Sequence, residues 1–285
     1  MKFRREYARE EYHKVGKSLK EKLALETEIV SVKFIKSQSE IPNGFIRPAQ
    51  DMGRKMTICM SFAEARREGK KLAITVDDTP CTPGAVVQGW AKVSFWAFVK
   101  SQIDNKWQKN ALSMIRGNNK RYKLGGWSAQ YPFNRLLGHR GVLVTPLSET
   151  TFVPDTVIIF GYPEQLTHVA HSLSYEGRYV PKAILTGFGE SCLAAGLIPL
   201  KSKKPVFALL GMGDRALRCV NKFEVAIGMP GSMIFYVNDN LFKSGGEHNL
   251  KHYLENPEPL EKLDESMLPG WTNVRKLINK HETRF

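Results

Sequence analysis

Residues 59–84 read CMSFAEARREGKKLAITVDDTPCTPG. A helix is expected from about Ala49 to Glu68, stopped by Gly69, with Met52, Met56, Cys59 and Phe62 or Ala63 on one apolar face. Leu72 to Val76 reads as a strand. The loop after it carries Pro80 and Pro83 around Cys81, and the apolar run beyond Gly84 reads as helix.

The same order recurs downstream. Cys192 opens an expected helix to Leu200, Lys203 and Lys204 precede a strand from Val206 to Leu210, and a loop carries Met212. Twenty-two residues separate Cys59 from Cys81 and twenty separate Cys192 from Met212. Each unit follows an apolar strand, Val30 to Ile35 in the first and Thr156 to Phe160 in the second. Two similar β-α-β-type halves related by a pseudo-twofold duplication are therefore expected. At their interface Cys59 would approach Cys192, and Cys81 would approach Met212.

Outward from these units, Ala8, Tyr12, Val15, Leu19 and Leu23 keep helical spacing within residues 5–25. Further strands are expected at Gly141 to Pro146, Ala183 to Thr186 and Glu224 to Gly228. Helices are expected from Pro163 to Ser174 and onward from Ala216. Strands alternating with helices make the class α/β, in the mixed α+β sense. The chain reads as a single domain over 1–285. Its sub-halves are 23–99 and 142–230, separated by a basic excursion over 100–141 and followed by a C-terminal extension over 231–285.

With 285 residues, 42% hydrophobic and 25% charged, the composition excludes disordered and collagenous classes, and four cysteines are too few for a disulfide scaffold. The longest apolar stretch, Gly84 to Val99, is broken by Gln88 and Lys92. The N-terminus lacks a signal-like apolar run, so a soluble cytoplasmic protein with no membrane association and reduced thiols is expected. Of the net charge of +14, residues 100–140 contribute +8: nine basic residues against Asp104 alone. Trp107, Tyr122, Trp127, Tyr131 and Phe133 are interleaved with them. This suits a solvated basic face, a lid over an anion, the docking face of an acidic partner, or a single-stranded nucleic-acid groove through Lys106, Lys109, Lys120, Arg121 and Lys123.

Cysteines gathered in a reducing compartment point to metal or redox chemistry. Soft sulfur donors select iron–sulfur clusters, zinc or copper(I). The absence of close Cys-x-x-Cys pairs disfavours structural zinc. Thiolates from distant loops suit a cluster, and three of them leave one iron open. Cys192, at a helix start, also qualifies as a low-pKa nucleophile with Cys81 as resolving thiol. Cys219 reads as core.

The chain resembles the uncharacterised ArCR family, a domain of unknown function found in archaea and anaerobic bacteria. The resemblance runs from about Leu23 to Pro230. It rests on Arg47-Pro48, Cys59 with Ala65-Arg66 and Gly69, Cys81 with Gly84-Ala85 and Gly89, and Thr145-Pro146-Leu147. It continues through Pro154-Asp155-Thr156, Pro163-Glu164-Gln165, Cys192, Gly213-Asp214-Arg215 and Gly228-Met229-Pro230. It implies the fold, and that Cys59, Cys81 and Cys192 match the family's cysteine positions. Where relatives carry a cysteine near Met212, this chain departs, which favours an open or Met-ligated fourth position. The resemblance implies no known reaction.

Arg47, Arg66, Gln165 and Arg215 flank these motifs and are candidates to bind an anionic substrate or cofactor, and Arg54 lies beside them. His139, His168 and His171 read as surface or core residues. The leading expectation is an iron–sulfur protein of the [4Fe-4S] type, with metal ligands Cys59, Cys81, Cys192 and Met212. It would bind or transform a small anionic molecule in anaerobic metabolism; as an enzyme it would be an oxidoreductase or lyase. The alternatives are a metal-free reactive-thiol protein and a basic binding module for nucleic acid or an acidic partner. A redox partner protein and homo-oligomerisation are open to the first reading.

Overall fold

A computed structural model describes residues 7–90, 138–184 and 190–243 of the chain. The first half runs α1 (Arg9–Lys22), β1 (Val30–Ile35), α2 (Pro48–Asp51), α3 (Ile58–Glu68), β2 (Leu72–Thr75), α4 (Thr82–Val87) and β3 (Gly141–Pro146). The second runs β4 (Thr156–Gly161), α5 (Pro163–Ser174), β5 (Lys182–Ile184), the π-helical α6 (Glu190–Leu197), α7 (Ile198–Ser202), β6 (Val206–Ala208), α8 (Met212–Ala216), β7 (Val225–Pro230) and α9 (Met233–Asn240). The class is mixed α/β.

The strands form one seven-stranded sheet in the order β2-β3-β1-β4-β7-β6-β5. Every pairing is antiparallel except β5 with β6. The β1–β4 seam, with Val30 opposite Ile158, lies between the two halves. From it β1, β2 and β3 take the centre, edge and intervening positions, and β4, β6 and β7 trace the same path on the other side. Strand β5 adds a further position beyond β6.

Period-two alternation sorts the buried side chains of the sheet to two faces. Val30, Val32, Ile74, Val142, Val144, Ile158, Phe160 and Ala226 pack in one cluster with α3, α4 and α6. Val157, Ile159, Val225, Ile227 and Met229 pack in another with α1, α5 and α9. Helices therefore cover both faces, and all the helices that bear or border Cys59, Cys81 and Cys192 lie on the first. There α6 sits directly on β7. A Cβ placed on Gly228 would stand 1.9 Å from the Ala195 carbonyl oxygen, so only glycine permits that approach.

The sequence reading needs several corrections. The helix expected over 49–68 is two helices. The chain turns at Gly53 (φ +61), Thr57 takes up the N-cap by accepting the Met60 N–H at 3.1 Å, and α3 starts only at Ile58. Strand β2 stops at Thr75 because the Thr75 N–H turns to the Asp78 carboxylate at 3.0 Å. The helix expected to begin at Ala216 ends there, having begun at Met212, and Arg218 takes φ 54 beyond it. The helix expected over 192–200 is π-helical to Leu197, followed by α7 with Pro199 near its start. Most of the basic excursion and the segment 244–285 lie outside the described residues, as do Gly187 to Gly189 before Cys192. No described helix is long and apolar enough to cross a membrane.

Candidate functional site

Cys59 stands in the first turn of α3, fixed by the Thr57 cap. Cys192 stands in the first turn of α6, whose start is closed by a buried carboxylate: Asp214 accepts the Ser191 N–H at 3.0 Å and the Ser191 hydroxyl at 2.7 Å. Two helices on one face of the sheet thus bring their starts together, and the Cys59 thiol feels the neighbouring Cys192. Cys81 immediately precedes α4. The Gly84 N–H donates to its sulfur at 3.2 Å, and its carbonyl accepts the Ala85 N–H at 2.9 Å. Its thiol feels the charge of Cys59. Cys59 and Cys81 are half-buried and Cys192 is buried.

The neighbouring Cys192 side chain and burial hold the Cys59 thiol well above its ordinary pKa, with Cys192 and Asp214 adding like-charge repulsion. The Ser191 side chain pulls weakly the other way. Burial pushes Cys81 up to about 11, against the Gly84 N–H, and Cys59 and Asp214 add to the rise. Cys192 and Asp214 at Cys59, and Cys59 and Asp214 at Cys81, thus oppose the thiolate. Both are neutral thiols near pH 7 when no cation is bound.

Met212 is the first residue of α8, and its side chain lies outside what is described. Cys219, expected as core, is buried, and its thiol also feels the charges of Cys59 and Asp214. Its carbonyl accepts Arg66 at 2.8 Å and Arg67 at 3.0 Å, and burial holds its thiol far above its usual range. Among the described residues, no group of three or more His, Cys, Asp or Glu could hold a metal ion.

The structure places the four anion-binding candidates within the framework of the fold. Arg47 hydrogen-bonds Asp78 through Nε at 3.2 Å and Nη2 at 2.8 Å, and reaches Thr75 and Gln38 at 3.0 Å each. Arg66, with no exposed side-chain surface, pairs with both oxygens of Glu224 and lies 4.5 Å over the Phe160 ring. Gln165 accepts the Tyr162 N–H at 2.8 Å and donates to the Leu23 and Ala24 carbonyls at 3.0 and 2.8 Å. Arg215 donates to the Asn221 carbonyl and to the Glu224 carbonyl at 3.2 Å. Arg54 pairs with Glu64 at 3.6 Å. None of these groups is brought to the thiols by the contacts it makes.

Three residues at the site escaped the sequence reading. Asp214 was visible only as part of Gly-Asp-Arg, and its carboxylate reaches across 23 residues to Ser191. Gln88 donates from Nε2 to the Cys192 carbonyl at 3.2 Å and accepts His139 Nε2 at 2.9 Å. The signal for Gln88 was a polar residue inside the apolar run after Gly84. His139 has no comparable signature.

The sequence profile of the uncharacterised ArCR family matches residues 18–240. An uncharacterized protein of Methanocaldococcus jannaschii is 24% identical over 225 residues, covering 75% of this chain and 87% of the relative. No solved structure matches the chain.

Proposed function

The chain belongs to the uncharacterised ArCR family, and on that premise we propose that it is an iron–sulfur protein whose cluster is held by Cys59, Cys81 and Cys192. The observation that carries this reading is the opening of two helices bearing Cys59 and Cys192 on one face of the sheet, with Cys59, Cys81 and Cys192 in electrostatic reach and negative charge supplied by Asp214. As thiolates these groups repel one another, and a bound cation is what would hold them deprotonated together. The donor set is soft sulfur, which fits iron–sulfur ligation. The fourth iron position would be open or reached by Met212. When bound, the cluster would supply redox or Lewis-acid chemistry.

A small anionic molecule remains the proposed ligand class through the net charge of +14, which raises the local concentration of anions. Arg47, Arg66, Gln165 and Arg215 serve the fold in this reading. A second reading, a metal-free dithiol, is favoured by the electrostatic coupling of Cys59 to Cys192 and opposed by the raised Cys59 and Cys81 pKa values.

Anaerobic purification of the whole chain, followed by iron and acid-labile sulfide analysis, tests the first reading. The expected result is bound iron and sulfide with visible thiolate-to-iron absorption, lost in C59S, C81S and C192S. Protein that holds neither element after anaerobic reconstitution with ferrous iron and sulfide would reject the cluster and leave the dithiol.

A further inference from the structure

Helix α4 ends in a left-handed turn. Gly89 takes φ +74, and the Trp90 N–H donates back to the Ala85 carbonyl at 2.8 Å, which folds Gln88 and Trp90 into the interior. His139, in the approach to β3, is buried beside them, with its ring edge-on to Phe34 at 5.0 Å and to Trp90 at 6.1 Å.

The Gln88 amide fixes the state of the imidazole. Its Nε2 faces the Cys192 carbonyl and must donate there, so its oxygen faces His139 Nε2. That oxygen only accepts, so His139 Nε2 carries a proton. Burial lowers the His139 pKa to about 4, with Arg140 assisting, so the ring is neutral and Nδ1 presents a bare lone pair. Nδ1 is buried without a hydrogen-bond partner among the described residues, and so is the Trp90 indole N–H. His139 is 4% exposed and Trp90 8%. Orphaned buried polar atoms are rare in folded proteins and costly to keep. Here an acceptor and a donor stand orphaned on two rings in edge contact.

We propose that His139 and Trp90 form a binding site for a small uncharged ligand, or ligand end, that carries a hydrogen-bond donor and an acceptor on one edge, as an amide or lactam does. Its N–H would donate to His139 Nδ1 and its carbonyl would accept from Trp90 Nε1–H. A cation would leave the indole N–H facing positive charge, and a carboxylate would meet the imidazole lone pair without a proton to offer. Gln88 links the site to the backbone of Cys192, so occupancy would be felt at the helix turn that bears that thiol. The inference needs no metal at the thiols, and its failure would leave the cluster reading intact.

The test uses the whole chain labelled with 15N at His and Trp, titrated with 2-pyrrolidinone, a cis lactam, and with N-methyl-2-pyrrolidinone, which lacks the donor. The expected result is a saturable shift of His139 Nδ1 and Trp90 Nε1–H with the lactam alone, at least tenfold weaker in W90F, a variant that keeps an aromatic ring. The proposal is overturned by no saturable shift in the wild-type protein, or by an equal response to the N-methyl compound. It is also overturned by exchange contacts showing that an ordered water already bonds both nitrogens and is not displaced.

Discussion

Ser191 and Asp214, 23 residues apart, are joined twice: the Asp214 carboxylate takes the Ser191 N–H at 3.0 Å and its hydroxyl at 2.7 Å. The pair closes the start of the helix that carries Cys192 and sets a negative charge beside the thiols. D214N should have two separable effects. Weakening the bonds to Ser191 should cost about 1–3 kcal/mol in denaturant unfolding. Removing the charge should let Cys59 and Cys81 deprotonate more readily, so alkylation of the metal-free protein near pH 8 should run several-fold faster. Unchanged alkylation of both would mean that Asp214 does not act on the thiols.

The electrostatic coupling of Cys59 to Cys192 predicts which disulfide forms in metal-free protein. Diamide takes up two electrons and two protons as two thiols join, and peptide mapping should find Cys59 linked to Cys192 with Cys81 and Cys219 still free. A dominant Cys81–Cys192 link would show that another pair is closer in solution.

Arg66 and Glu224 form a buried ion pair beneath the Cys59 helix. Burial raises the Glu224 carboxyl, but the hydrogen bonds and charge of Arg66 outweigh it and hold the pKa below its ordinary value. A depressed carboxylate pKa contributes stability above the unfolded value, about 4.3, and loses it as pH falls through the lower folded value. E224Q leaves Arg66 buried without its counter-charge and should cost about 3–5 kcal/mol at neutral pH. It should also flatten the loss of stability in acid. A variant within 1 kcal/mol of wild type would contradict the buried pair.

His139 adds to the acid loss of stability over a higher pH window. Its folded pKa of about 4 lies under the unfolded value near 6.5, so the unfolded chain binds the proton first. Stability should therefore decline as pH falls from about 6.5 towards 4, by an amount on the order of 3 kcal/mol, and H139Q should remove that slope. Chemical denaturation at stepped pH measures it, and parallel slopes in the two proteins would rule out a neutral buried His139.

G228A tests the seat of α6 on β7. The added methyl would overlap the Ala195 backbone, which cannot swing aside as a flexible side chain can. The expected cost is about 3 kcal/mol or more, with weaker Cys59–Cys192 crosslinking because α6 is displaced. Wild-type crosslinking in a destabilised G228A would separate the thiol contact from this packing.

The sequence by itself determined the alternation of strands and helices, because period and turn chemistry are local. Gly141 to Pro146 and Pro163 to Ser174 stand where their residues say they should. It also singled out Cys59 and Cys192, through a repeated order of elements rather than any compact motif. Where local reading failed, a side chain from elsewhere took a backbone group, as Asp78 did at Thr75. Only the tertiary structure showed which partners these charges hold. Arg47, Arg66, Gln165 and Arg215 look alike in a sequence whether they await an anion or already hold Asp78, Glu224 and backbone carbonyls. Their partners lie up to 158 residues away, and no local pattern encodes a hydrogen bond across that distance. The same holds for Asp214, Gln88 and His139, whose part at the thiols exists only because the sheet brings α4, α6 and α8 to one face.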